Sequence, residues 1–225
     1  MGYNIAIDGP ASAGKSTVAK AVAKELGFVY VDTGAMYRAL ALYFKRKGLR
    51  GDEKDKEKII DICSDAVVGI DYQEGAQQVF LNGENVTIKI RDEEIGNLAS
   101  ETSTIQEVRA HLLLLQRNLA KENDVVMDGR DIGTYILPHA NLKIFLMATA
   151  EVRAMRRYLE YQQKGIPCCF EDIKKDIQER DHRDSNRSIA PLKQAEDAIL
   201  VDSSLMSIEE VVKEILSHVE KNKGK

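Results

Sequence analysis

The densest chemistry in the sequence lies at Gly9-Pro10-Ala11-Ser12-Ala13-Gly14-Lys15-Ser16. The run fits the spacing G-x-x-x-x-G-K-[ST]. Glycines free the backbone to wrap a phosphate chain closely, so that successive N–H groups point inward. A helix N-terminus behind the loop adds partial positive charge. Lys15 would reach the β- and γ-phosphates of a nucleoside triphosphate, and the Ser16 hydroxyl would ligate Mg²⁺. Thr17 opens the helix and is placed to touch the α-phosphate, whereas Ser12 reads as a turn residue. Asp128 closes the apolar run VVMD. Its type and place suit a residue that holds Mg²⁺ through water or orients the loop.

Six arginines fall between Arg153 and Arg187. Arg153, Arg156 and Arg157 are three and four residues apart, so they share one helix face. Arg180, Arg183 and Arg187 repeat the spacing. Interleaved acids allow a solvated, salt-bridged surface. Beside a phosphate loop, however, arginines stabilise the charge that spreads over a transferring phosphoryl group, and they fork two phosphate oxygens. Two such helices joined by KGIPCC read as a lid whose closure excludes water. There is no H-R-D catalytic loop. That agrees with an acceptor that is itself a phosphate, already anionic near neutral pH because its second pKa is about 6. Such an acceptor needs its own cations, and Arg38 in DTGAMYR and Arg130 in DGRD are the candidates.

These residues need elements to position them. YNIAID reads as a short buried strand ending at Asp8. Helical spacing of Val18, Ala19, Val22, Ala23 and Leu26 predicts a helix over 15–26, stopped by Gly27. FVYV predicts a second strand and 35–47 a second helix. Between Gly48 and Glu101 the character changes. A charged run is followed by a predicted helix over 59–68, then by Val79-Phe80-Leu81 and the turn pair Asn82-Gly83. This stretch reads as an inserted subdomain with a small antiparallel sheet. Alternation then resumes: helix 104–121, strand 125–127, strand 142–147, helices 151–163 and 170–183, strand 198–201 and helix 207–220, with KNKGK as a solvated tail. The pattern predicts a mostly parallel sheet covered on both faces.

Composition sets bounds on partners and place. The 225 residues are 44% hydrophobic and 30% charged, with a net charge of −4. That is ordinary globular usage, without the basic footprint of bulk nucleic-acid binding. No apolar run approaches the roughly 18 residues of a membrane span. The first residues lack signal-peptide order, and Cys63, Cys168 and Cys169 are expected as reduced thiols, so a cytoplasmic protein is expected. The scattered histidines argue against a structural zinc site.

Taken together, IDGPASAGKST, VDTGAMYRALA, DGRDIGT and ERDHRDSNRSIAPL resemble bacterial cytidylate kinases, from about Ile5 to Ile215. The resemblance implies one nucleoside monophosphate kinase domain. Its core would comprise 1–34, 105–150 and 188–225, a three-layer P-loop kinase core with a five-stranded parallel sheet. A nucleoside-monophosphate-binding region with the insert would cover 35–104 and a helical lid 151–187. The implied reaction moves the γ-phosphoryl group of ATP, with Mg²⁺, to CMP or dCMP, in a monomer that binds neither nucleic acid nor membrane. The resemblance puts Thr33 and Arg38 on the acceptor nucleotide, and Ser100, Arg109 and Asp131 on cytosine. It puts Arg130 on the acceptor phosphate, and Arg180, Asp184 and Arg187 around ribose and phosphates. The implied catalytic set is Lys15, Arg130, Arg157 and Arg183. Cytosine offers an amino donor where uracil offers a carbonyl, so a carboxylate such as Asp131 separates them. Two other readings stand beside it. One is another small-molecule P-loop kinase, for adenylate, thymidylate or shikimate, against which the insert and the Asp131 motif argue. The other is a nucleotide-binding regulatory module, which would carry no arginine lid.

Overall fold

A computed structural model describes residues 2–223. The chain opens with strand β1 (Asn4–Asp8), the phosphate loop and helix α1 (Lys15–Leu26). Strand β2 (Val29–Asp32) leads into helix α2 (Thr33–Arg46), and helix α3 (Lys56–Cys63) follows. Strands β3 (Val68–Gln73), β4 (Ala76–Leu81) and β5 (Glu84–Asn85) form a small antiparallel sheet. A 3₁₀ turn (Lys89–Arg91) connects to helix α4 (Glu93–Thr102), then α5 (Gln106–Glu122) and β6 (Val125–Gly129). A π-helical turn (Ile132–Ile136) precedes β7 (Leu142–Met147). Helices α6 (Ala150–Gln163) and α7 (Phe170–Asn186), strand β8 (Ile199–Asp202) and helix α8 (Ile208–Lys223) complete the chain.

The main sheet has five strands in the order β2-β6-β1-β7-β8, every pair parallel. Side chains alternate across it, as strand geometry requires. Ile5 and Ile7 pack with Val22 and Ile215 under α1 and α8, while Ala6 and Met127 pack with Met36 and Leu112 under α2 and α5. The result is three layers, helix on sheet on helix. Helices α6 and α7 carry a separate small core in which Ala154, Ile173 and Ile177 meet Tyr158, Tyr161 and Phe170. Among the described residues no helix is long and apolar enough to cross a membrane. All three cysteines are free.

Four expectations need correction. Helix α2 begins at Thr33, not at 35, because the Asp32 carboxylate accepts the Ala35 amide at 2.9 Å and caps the helix there. The helix expected over 59–68 ends at Cys63, and Val68 begins β3. Consecutive β-branched residues at 67–68 favour the strand. No element was expected over 93–102, yet α4 runs there, capped by Asp92 through the Glu94 amide at 2.9 Å. Its Gly96 reads as a breaker. In the fold it admits Arg38, because a Cβ at Gly96 would lie 2.7 Å from the guanidinium. Finally, Lys221–Lys223 of the expected tail belong to α8, while Gly224 and Lys225 lie outside the described residues.

The small sheet docks on the edge strand β2. The Gln77 side chain accepts the Asp32 amide at 2.8 Å and donates to the Asp32 carbonyl at 3.2 Å, and the Tyr72 hydroxyl donates to the Tyr30 carbonyl. On the far side of β2 from these contacts, β1 ends in a second anchor. The Asp8 carboxylate accepts the amides of Ile132 and Gly133, each at 2.7 Å, and so fixes the turn that follows Asp131. Burial pushes the Asp8 carboxyl up to about 6, against the pull of those two amides. A folded pKa above the unfolded one makes this group's contribution to stability full below about pH 4, and that contribution is lost as pH rises through about 6.

Asp8→Ala should therefore cost about 2–5 kcal/mol in urea unfolding, from two buried amides left unpaired. The stability of the natural protein relative to Asp8→Asn should shrink between pH 4 and pH 7. A difference that stays flat across that range would refute the raised carboxyl.

Candidate active site

The phosphate loop takes its shape from close backbone approach. Gly9 has φ of 152°, and a Cβ there would stand 2.0 Å from the Leu146 carbonyl oxygen, so no side chain fits. Gly14 caps α1 in the left-handed region at φ 87°. Lys15 is buried, and its Nζ donates to the Pro10 carbonyl at 2.6 Å, curled inside the loop. Burial, and then the nearby Arg130, hold its ammonium well below the usual lysine range, while Asp128 opposes them. A lysine so placed is already stripped of water and gains most from an incoming polyanion.

Strand β6 delivers the next group. Ser16 Oγ donates to Asp128 Oδ2 at 2.9 Å, and the Tyr30 hydroxyl donates to Oδ1 at 2.9 Å. Burial, with Asp32 nearby, pushes the Asp128 carboxyl up to about 6. Thr33 Oγ1 donates to the Asp128 carbonyl at 2.7 Å and so ties α2 to the same strand end. Ser16 and Asp128 form a hard oxygen pair. Among the described residues no group of three or more His, Cys, Asp or Glu side chains could hold a metal ion. The pair fits Mg²⁺, which binds through one or two protein oxygens and takes its remaining ligands from phosphate and water.

A cavity of about 420 Å³ runs from Ala11–Thr17 past these residues to α4 and α5, within the size range of small-molecule sites. Eight lysine and arginine side chains line it against five carboxylates, in a chain whose net charge is −4. The cavity is thus an anion receptor. Arg130 Nε donates to Asp184 Oδ2 at 2.8 Å. Arg180 is pushed down to about 10, by burial and then by Arg130, and its buried Nε has no partner. Arg38 donates to the carbonyls of Ile90 and Asp92 at 3.2 Å, and burial lowers it as well. Deeper in, Asp131 pairs with Arg109 and, at 3.3 Å, with Arg187, all three less than 10% exposed. The Arg109 guanidinium lies 5.5 Å from the centroid of the Tyr37 ring and 5.8 Å from that of Tyr135. Ser100 shares this cavity wall.

The expected site residues are therefore gathered with few exceptions. Gly9, Pro10 and Ala13 shape the loop from behind the lining. Arg183, expected in the catalytic set, lines a smaller cavity of about 180 Å³ together with Ala11, Arg157 and Arg180, and donates across to Ser100 Oγ on α4 at 3.2 Å. Arg153, Arg156 and Arg157 do not act together. Arg153 is spent as a clamp, donating to Asp181 at 3.0 Å and to the Ala11 carbonyl at 3.0 Å. Arg156 donates to the Ser203 carbonyl at 2.6 Å. Arg157 alone lines the main cavity, held by Glu93 at 2.6 Å and by the Tyr161 hydroxyl. Sequence reasoning missed Asp8, Tyr30, Tyr37 and Arg91. Tyr37 stands inside DTGAMYR and was within reach. Arg91 pairs with Asp32 at 3.3 Å from a turn with no local signal.

Known proteins match this chain. A family model described as cytidylate kinase matches residues 5–221. The cytidylate kinase of Caldicellulosiruptor bescii is 50% identical over 213 residues, covering 95% of this chain and 93% of that relative. The cytidylate kinase of Thermotoga neapolitana is 47% identical over 220 residues, 98% of each protein. Among solved structures, a shikimate kinase from Acinetobacter baumannii in complex with shikimate covers 100% of this chain and 97% of that one, with a TM-score of 0.50 and 15% identity. Identity that low speaks for the fold alone. With the sequence matches and the geometry in agreement, the chain belongs to the cytidylate kinase family.

Proposed function

We propose that the chain transfers the γ-phosphoryl group of ATP to CMP or dCMP, giving CDP or dCDP and ADP. The observation that carries this reading is the buried Arg109–Asp131–Arg187 cluster beside Ser100, inside the cavity that also holds the phosphate loop. In this reading, residues 35–104 form the acceptor-binding region, and 151–187 the lid, around a core of 1–34, 105–150 and 188–225. The protein works in the cytoplasm as a monomer, with ATP and the two cytidine nucleotides as its partners.

The loop amides and Thr17 receive the ATP phosphates, and Lys15 leaves the Pro10 carbonyl to meet the β- and γ-oxygens. Ser16, and Asp128 through water, would hold Mg²⁺, which would supply positive charge to neutralise the phosphates. Thr33 and Arg38 hold the acceptor, and Arg130 exchanges its Asp184 contact for the acceptor phosphate. Arg180 supplies the buried donor that lacks a partner, and Arg157 reaches the transferring group from α6. Asp184 and Arg187 surround the ribose. No general base is required, because the attacking oxygen is already anionic near pH 7. Asp131 accepts from the cytosine amino group and would repel the uracil carbonyl, while Arg109 donates to the ring acceptors. Desolvation inside the closed cavity strengthens every one of these contacts and suppresses hydrolysis of ATP.

The test is ADP release with ATP and Mg²⁺ against CMP, dCMP, UMP, AMP, GMP, dTMP, shikimate and no acceptor. Turnover should be strong with CMP and dCMP alone; a different preferred acceptor would sink the cytosine assignment. Lys15→Ala should lower kcat at least about 100-fold, roughly 3 kcal/mol of barrier, and near-normal turnover would remove the lysine from catalysis. Asp131→Asn, which keeps the side-chain shape, should cut kcat/KM for CMP about tenfold or more and for UMP much less. Equal losses on both would leave Asp131 as no more than a support for the two arginines.

A further inference from the structure

Tyr30 is buried on the edge strand β2, opposite Val126 of β6, and both pack with Val18 and Val22 of α1. Asp128 lies two residues beyond Val126, so its side chain shares that face of the sheet. The tyrosine ring spans the diagonal between them, and its hydroxyl donates to Asp128 Oδ1 at 2.9 Å. Ser16, in the first turn of α1, donates from Oγ to the other oxygen, Oδ2, at 2.9 Å. One turn further along α1, the Lys20 ammonium lies 5.5 Å from the centroid of the Tyr30 ring. The Tyr30 carbonyl accepts from the Tyr72 hydroxyl at 3.1 Å. Tyr30 is thus held at its ring, its hydroxyl and its backbone.

A phenol, with an ordinary pKa of about 10, keeps its proton at neutral pH, and an ionised carboxylate only accepts. Both contacts therefore run toward Asp128. A carboxylate held at one oxygen can still turn about its Cβ–Cγ bond, where the torsional preference is broad. Held at both oxygens, it keeps one plane. The Ser16 proton is then committed to Oδ2, and both lone pairs of the Ser16 oxygen are left for a cation. Each Asp128 oxygen keeps a lone pair for a bridging water. We propose that Tyr30 is a positioning residue for the Mg²⁺ site, acting through Asp128 to hold the Ser16 hydroxyl with its lone pairs toward the cation. The inference deepens the phosphate-loop part of the reading above and is independent of the identity of the acceptor.

The experiment measures, by calorimetry on the full chain, the affinity for the β,γ-imido analogue of ATP with Mg²⁺ and with EDTA. The gain in affinity that Mg²⁺ brings reports the metal contacts without turnover. Tyr30→Phe, which keeps the ring, should lower that gain about tenfold, as loss of an outer partner of a metal site does, and should hold the affinity in EDTA within about twofold. With CMP as acceptor, kcat should fall while the KM for CMP stays level. Asp128→Asn should lower the gain at least as far, and adding Tyr30→Phe to it should lower it no further, because Tyr30 acts only through that carboxylate. The double variant buries no unpaired carboxylate, so it decides the point if Tyr30→Phe alone unfolds. An unchanged gain in Tyr30→Phe, an equal loss with and without Mg²⁺, or a further loss in the double variant would overturn the inference. Binding of the analogue with no gain from Mg²⁺ in the natural protein would overturn the metal site, and the inference with it. Absence of turnover with CMP would overturn the acceptor reading instead, and the gain would still decide for or against Tyr30.

Discussion

Like charges held close together in one cavity are what the fold around them must accommodate. Lys15, Arg130 and Arg180 line the same cavity, and burial first, then the neighbouring cations, pull Lys15 and Arg180 below their ordinary ranges. Buried carboxylates make the crowding tolerable. Asp184 holds Arg130, and Asp131 stands between Arg109 and Arg187. Neither carboxylate is there for stability in the simple sense, since a buried ion pair seldom repays its desolvation. They hold the cations in place beside the phosphate loop. Catalysis of phosphoryl transfer asks for little else from the protein than such placement.

The sheet provides the rigidity this requires. Asp8, Asp32 and Asp128 all lie at or next to the C-terminal ends of neighbouring parallel strands, the edge where open α/β sheets place their ligands. Each does a different task there. Asp32 caps α2 and so aims Thr33, Tyr37 and Arg38 into the cavity. Asp128 joins the phosphate loop to β6. Asp8 grips the turn beyond Asp131, and so steadies the arginine pair that Asp131 holds. Three aspartates on one edge thus convert a twisted sheet into a fixed set of directions.

How much of this could be read from the residues alone follows from distance along the chain. The phosphate loop was legible because its determinants sit within eight positions and its strand and helix flank it directly. The alternation of strands and helices carried a mostly parallel sheet for the same reason, while its five strands came from likeness to relatives, and the expected helix 59–68 ran past Cys63 up to the start of β3. Arg109 and Asp131 are 22 residues apart, and Asp131 and Arg187 are 56 apart, so only likeness to relatives joined them beforehand. Helix α4 stayed hidden because Gly96 interrupts its apolar face, and the reason for that glycine, the guanidinium of Arg38, comes from another helix. The contact of Arg183 with Ser100 was out of reach because spacing along α7 tells which residues share a face and not what that face meets.

The docking of the small sheet onto β2 has a consequence outside catalysis. β2 is the edge of the main sheet, and an edge strand with open amides and carbonyls is a template for joining another chain. Here the outward groups of Tyr30 and Asp32 are occupied by Tyr72 and by both ends of the Gln77 amide, a side chain filling the place of a missing strand. The insert is therefore also a guard against edge-to-edge assembly. A shortened relative without it would have to blunt that edge by other means, such as a charge, a proline or a partner subunit.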